Sequence, residues 1–184
     1  MFDSLLLLDG NILLIIQEFL RNPILTPIMK VITTLGNSGL IWILLTLLLL
    51  AVPRTRRVGY MLTVALLGTL IVNNIILKNL VARTRPYEVI EGLTYLVRKP
   101  SDLSFPSGHA GCSFSAACIM FRRLPKKYGI PALALAILIS LSRLYVGVHY
   151  PSDVLFGVIS GIVISFAAEA IVEKIFPERV KESR

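Results

Sequence analysis

Three short motifs hold ionisable side chains inside an otherwise apolar sequence. Lys78 with Arg85-Pro86 forms the first, Pro106-Ser107-Gly108-His109 the second, and Ser142-Arg143 with His149 and Asp153 the third. They supply lysine and arginine cations, two imidazoles and a carboxylate, and ionisable groups next to apolar segments are costly enough to signal function. This set suits displacement at phosphorus. A phosphomonoester carries about two negative charges near neutral pH, and the charge that develops on its equatorial oxygens is met mainly by positioning and fixed positive groups. Lys78, Arg85 and Arg143 supply that charge. Arginine offers a planar fork for two oxygens, whereas lysine acts as a compact point charge. Ser107 adds a hydroxyl, and the N–H groups around Gly108 open a helix, where an anion is favoured.

A neutral imidazole attacks phosphorus when an acceptor holds one ring nitrogen as N–H and the lone pair of the other faces the substrate. His149 and Asp153 fit these roles. Pro151 and Ser152 are helix-starting residues, so Asp153 is expected in the first turn of the last helix, beside the loop that carries His149. The pairing is that of a base and its orienting carboxylate, with the imidazole itself as nucleophile. His109 is the natural general acid for the leaving alkoxide or phosphate, a transfer worth roughly 100- to 10,000-fold in rate. Each motif alone has a plainer explanation, since Pro-Ser-Gly-His starts many helices and a Lys or Arg near a helix end snorkels to headgroups. Their conjunction carries the argument.

The elements that must position these residues are membrane helices. Of the 184 residues 55% are apolar and only 16% are charged, with a mean hydropathy of +0.75; a soluble average has about 25% charged residues. Apolar stretches run through 23–36, 38–52, 58–79, 107–121, 129–147 and 152–175. With about 20 residues needed per span, they predict an all-α polytopic bundle of about six transmembrane helices, the first the shortest. The apolar run from Leu5 to Leu20 is interrupted by Asp9-Gly10-Asn11 and also contains Gln17 and Glu18, with Asp3 just ahead of it. It lacks the charged start and small-residue cleavage site of a leader, and residues 1–22 read as a helix lying in the membrane interface, with a spanning helix over 4–21 as the alternative.

Basic residues orient the bundle, because cytoplasmic loops carry the excess of Lys and Arg. One face receives Arg54, Arg56 and Arg57, then Arg122, Arg123, Lys126 and Lys127, then Lys174, Arg179, Lys181 and Arg184. That face is expected to be cytoplasmic, with the C-terminus. The same alternation puts all three motifs on the opposite, extracytoplasmic face, although the helices were counted from hydropathy and the motifs from polar residues. The formal charge of +8 is therefore mainly a topology signal, and nothing in its pattern points to nucleic acid.

The motifs resemble the type 2 phosphatidic acid phosphatase superfamily, whose pattern is Lys, six residues, Arg-Pro; then Pro-Ser-Gly-His; then Ser-Arg, five residues, His, three residues, Asp. Here the pattern is complete from Lys78 to Asp153. The resemblance covers roughly 58–175, taken as the catalytic core of a single membrane domain over 1–184. It implies a histidine nucleophile at His149 forming a phosphohistidine, Asp153 as its partner and His109 as acid. Lys78, Arg85, Ser107, Gly108 and Arg143 would form the phosphate cradle. It implies no metal and no other cofactor, and the sequence has no carboxylate cluster or paired His-Cys spacing for a catalytic ion.

The expected substrate is a lipid phosphate or diphosphate drawn from the bilayer. By family analogy undecaprenyl diphosphate is favoured over phosphatidylglycerophosphate and phosphatidic acid. A lipid phosphotransferase using the same site stays open, as does the oligomeric state. Elsewhere, Asn73 and Asn74 read as interhelical hydrogen-bonding residues, Gly157 and Gly161 as a close helix contact, and Tyr87–Phe105 as either a lid or a plain loop.

Overall fold

The computed structural model describes residues 2–177, and side chains from residue 6 on; the side chain of Asp3 and the basic residues Arg179, Lys181 and Arg184 lie outside the described residues. The described chain is helical, without strands. Helix α1 (Phe2–Ile15) continues into a π-helical turn, Ile16–Leu20. Next come α2 (Leu25–Leu35) and α3 (Leu40–Ala51), then α4 (Arg56–Thr69), which runs on through a π-helical stretch, Leu70–Leu77, to a last turn, Lys78–Val81. A short α5 (Pro86–Val89) precedes α6 (Gly108–Arg123), α7 (Lys126–Tyr145) and α8 (Pro151–Ile175).

Helix α6 lies at the centre, packed against α4, α7 and α8. Its buried face is built from small residues, Ala110, Gly111, Ser113, Ser115, Ala116 and Ala117. In a bilayer, helix association depends on close packing, which small residues permit. Gly157 and Gly161 of α8 form that contact: a Cβ on either would come within 2.6 Å of a backbone carbonyl, Ser107 O and Gly111 O respectively. Asn73 Nδ2 donates to Ser160 Oγ at 2.8 Å, tying α4 to α8, and Trp42 Nε1 donates to Ser113 Oγ at 2.9 Å, tying α3 to α6. Outward faces carry exposed Leu44, Leu48, Leu155, Phe156, Val163 and Phe166, the inverse of a water-soluble surface.

Among the described residues three helices are long and apolar enough to cross a membrane, those beginning at Arg56, Lys126 and Pro151. Stretches 23–36 and 38–52, read from the sequence as two crossings, correspond to α2 and α3, which pass the same test only together, as a pair bent by 49° that forms a broken span or a re-entrant loop. The cause is local. Ser38 (φ 52°) and Gly39 (φ 69°) are both left-handed, which interrupts the hydrogen-bond ladder without reversing the chain. At 1.5 Å per residue α2 and α3 measure about 16 and 18 Å, so neither alone matches a hydrocarbon core of about 30 Å. Helix α6, with 16 residues, is also short of a full span. The structure thus supports fewer full-length crossings than six.

The basic groups Arg122 and Arg123 meet Glu169 at one end of the bundle, where Tyr60 also stacks on Phe176 at 5.3 Å. The three motifs meet at the other end. Helix α1 lies across that motif end: Asp9 bonds to Ser152, Gln17 to Gly92 and Thr94, and Arg21 to Tyr145 and Thr94. Leu13 packs there on Leu93 and Tyr150, while Leu7, Leu8 and Phe19 are exposed. Helix α1 thus turns one face to the motif end and leaves apolar side chains exposed on the other.

Candidate active site

Each motif residue is held at a helix end. The π-helical stretch of α4 delivers Lys78, and Ala82 in the left-handed region (φ 48°) turns the chain out of the helix. The following residues run extended into Arg85, and Pro86 opens α5. Ser107 caps α6, its Oγ accepting the Ala110 N–H at 3.4 Å. Arg143 occupies the last turn of α7, and Pro151 starts α8, so Asp153 falls in its first turn as expected. Its Oδ2 accepts the Tyr150 N–H at 3.0 Å.

These ends surround a cavity of about 950 Å³ whose walls include Lys78, Arg85, Gly108, His109, Arg143 and His149. It continues between α3 and α4 along Ile43, Leu47, Leu50, Leu66, Leu67 and Leu70. One end is cationic and the other apolar.

His149 is 2% exposed. Its Nδ1 is buried 3.5 Å from Asp153 Oδ2 without a hydrogen bond formed, and its Nε2 lies 3.5 Å from Arg85 Nη1. Asp153 Oδ2 also accepts the Ser104 hydroxyl at 2.5 Å. Burial, opposed by Asp153 and reinforced by the positive Arg85 and Arg143, pushes the His149 imidazole down to about 4, so it is neutral at physiological pH. His109 Nε2 lies 3.1 Å from Asn37 Oδ1, a residue delivered by the break between α2 and α3.

The three cations differ in their partners. Arg85 is clamped on the backbone, donating to Asp102 O at 2.7 Å and Val148 O at 2.6 Å, and pairs with Asp102 Oδ1 at 2.6 Å. Lys78 pairs with the other Asp102 oxygen. Burial alone would raise the Asp102 pKa, but these two ion pairs carry it down to about 2. Arg143, 4% exposed, donates from Nη1 to Thr33 Oγ1 at 2.5 Å, and its Nε has no partner. Among the described residues it pairs directly with no carboxylate, so a buried cation faces the cavity.

The sequence-predicted residues Lys78, Arg85, Gly108, His109, Arg143 and His149 are brought together around one space. Asp153 stands behind His149. Ser107 differs, since its side chain is buried at the helix cap and is not part of the cavity wall. Gly108 is needed there: a Cβ would meet Asn74 Oδ1 at 2.7 Å. The sequence reading missed Asp102, Ser104, Asn37 and Thr33. The segment 87–105 forms part of the wall through Arg98–Asp102. Among the described residues no three His, Cys, Asp or Glu side chains converge as ion ligands.

Comparison with known proteins agrees with this geometry. A profile described as the PAP2 superfamily matches residues 57–177. An undecaprenyl-diphosphatase of Sulfolobus acidocaldarius is 37% identical over 131 residues, covering 71% of this chain and 63% of that protein, so the match spans somewhat under two thirds of the archaeal relative. A decaprenylphosphoryl-5-phosphoribose phosphatase of Mycobacterium tuberculosis is 36% identical over 140 residues, 74% of each chain. The crystal structure of a transmembrane PAP2-type phosphatidylglycerolphosphate phosphatase from Bacillus subtilis superposes with a TM-score of 0.74 at 29% identity, covering 93% of this chain and 87% of that one. With two thirds of its length matched by the profile and the whole motif set gathered at one end of a membrane helix bundle, the chain belongs to the PAP2 superfamily of membrane lipid phosphatases.

Proposed function

We propose that this protein removes the terminal phosphate of a lipid phosphate or diphosphate at the extracytoplasmic face, through a phosphohistidine at His149, with undecaprenyl diphosphate as substrate. The observation that carries this reading is the buried Arg143, paired with no carboxylate, in a cavity that joins the three motif cations and two histidines to an apolar slot. An amphiphile with an anionic head fits both ends. The relatives named for undecaprenyl and decaprenyl carriers support the polyprenyl choice, and the basic residues of the far end support an outward-facing site.

In the first step the phosphate oxygens contact Lys78, Arg85 and Arg143. The lone pair of His149 Nε2 attacks phosphorus, with Nδ1–H held toward Asp153. The bond from phosphorus to the bridging oxygen breaks as the P–N bond forms, and His109, charged by taking up the acidic proton of the bound phosphate, gives that oxygen a proton. In the second step water attacks phosphorus, His109 takes up its proton, the P–N bond breaks, and inorganic phosphate leaves with His149 restored to neutrality. Neutral His149 is what the first step needs, and its lowered pKa supports that role.

The test is phosphate release by purified protein in detergent with a chelator present, across undecaprenyl diphosphate, phosphatidylglycerophosphate and phosphatidic acid, beside His149→Ala. Turnover that survives chelation, is fastest on undecaprenyl diphosphate and vanishes in the variant is the expected result. Acid-labile, base-stable label on the wild-type protein would mark the intermediate. A different lipid ranking would move the substrate, phosphorylated acceptor without free phosphate would make the enzyme a transferase, and turnover in His149→Ala would overturn the mechanism.

A further inference from the structure

One charged cluster behind the cavity has no part in the steps above. Arg83 Nη1 donates to Asp153 Oδ1 at 2.6 Å and to Ser152 Oγ at 2.7 Å, while its Nη2 donates to Asp9 Oδ2 at 2.8 Å. Its guanidinium lies flat over the Tyr150 ring, 3.7 Å from the centroid. Asp9, 4% exposed, also accepts the Ser152 N–H at 3.1 Å and the Ser152 hydroxyl. One arginine is thus shared between the carboxylate that orients His149 and a buried carboxylate on helix α1. Neither Arg83 nor Asp9 touches the cavity.

We propose that Arg83 and Asp9 are positioning residues for the His149–Asp153 pair, which makes helix α1 part of the catalytic apparatus as well as a membrane-surface element. The inference rests on His149 being the nucleophile. Arg83 fixes Oδ1 of Asp153, which aims Oδ2 at His149 Nδ1, and the fork of a guanidinium imposes that orientation in a way a lysine would not. Asp9 holds the far side of the fork and the first turn of α8. Charge completes the argument. Asp9, Arg83 and Asp153 sum to one negative charge, which complements the positive charge on the His149 ring once its Nε2 is bonded to phosphorus. Without Asp9 the cluster is neutral and that intermediate loses a nearby counter-charge. The effect therefore falls on the chemical step and not on lipid binding.

The test measures kcat and KM on the lipid phosphate that the wild type turns over fastest, together with the imidazole N–H signals of 15N-histidine-labelled protein in micelles. The chain has only two histidines, so His109→Ala and His149→Ala assign them. Displacing a catalytic group by about 1 Å costs about 100-fold. Accordingly Arg83→Gln is expected to lower kcat about 100-fold and Asp9→Asn about 10-fold, with KM changed less than about threefold. The double variant should be no slower than Arg83→Gln alone, because the two residues act in series. Guanidinium ion should restore part of the activity of Arg83→Ala, and the His149 Nδ1–H signal should shift or broaden in both single variants. Unchanged kcat with an unchanged His149 signal, or a loss confined to KM, would reduce α1 to an anchor. If the wild type releases no phosphate from any lipid, the functional reading fails by itself, while the His149 signal still decides whether Arg83 and Asp9 position the pair.

Discussion

Asp102 sits on the two cations that a phosphate must engage, and removing its charge should tighten anion binding. Its carboxylate is 2.6 Å from Arg85 Nη2 and also paired with Lys78, while its side chain is 53% exposed. Unit charges 4 Å apart interact by about 4 kcal/mol at an effective dielectric near 20. Exposure screens much of this, and exposed pairs are worth at most about 1 kcal/mol each. Two such pairs put the competition at about 1–2 kcal/mol, or about 5- to 30-fold in affinity. Asp102→Asn keeps the backbone carbonyl that clamps Arg85 Nε, so the cradle should survive. Inhibition constants for orthophosphate and orthovanadate, measured against lipid turnover, should fall by that factor, and KM should fall with them. Inhibition that stays the same or weakens would refute the competition and would mean that the carboxylate arranges Lys78 and Arg85 for the substrate.

Three further outcomes follow from the same geometry. Arg143→Met should cut kcat/KM about 100- to 1,000-fold yet leave the thermal midpoint unchanged or higher, because a buried cation without a carboxylate is a cost to the fold; a midpoint several degrees lower would argue against that. The unfolded chain protonates His149 near pH 6.5 while the folded chain resists until about 4, so this residue costs nothing above pH 6.5 and removes about 3 kcal/mol of stability as pH falls between those values. Melting in detergent across that range should show the loss in the wild type and a weaker one in His149→Gln. Gly161→Val places a Cβ within 2.6 Å of Gly111 O and should cost about 1–3 kcal/mol, read as a lower melting midpoint together with lower activity.

What the sequence made legible was chemistry held within short segments. His149 and Asp153 stand four apart across a Pro-Ser helix start, and Ser107 opens a helix, so local rules predict where both carboxylate and cap fall. The members that escaped are far apart in sequence. Asp9 reaches Ser152 from 143 residues away, Asn37 reaches His109 across 72, and Asp102 reaches Lys78 across 24. Two of them carried a signal: Asp9 is an acid inside an apolar run, and Asp102 is an acid among the basic residues of the motif-bearing face. The bend between α2 and α3 escaped for a different reason. Gly36-Asn37-Ser38-Gly39 has the composition of a turn, and hydropathy does not distinguish a 49° bend from a reversal. Length does, since neither half matches the hydrocarbon thickness.

The cavity's two ends carry unequal shares of recognition. Moving an acyl or prenyl tail from the bilayer into the slot between α3 and α4 exchanges one apolar environment for another, and lipid tails are as apolar as leucine. Little free energy is available from that transfer, unlike tail burial from water. The headgroup end is different. Lys78, Arg85 and Arg143 are already desolvated by the protein, and Arg143 has no carboxylate to release, so an incoming phosphate meets at least one cation whose desolvation cost was met on folding. Discrimination between lipids should therefore rest on what lies between phosphorus and tail. Arg98–Asp102 of the connecting segment and Asn37 at the break line the same cavity, and a second phosphate or a glycerol would have to fit beside them.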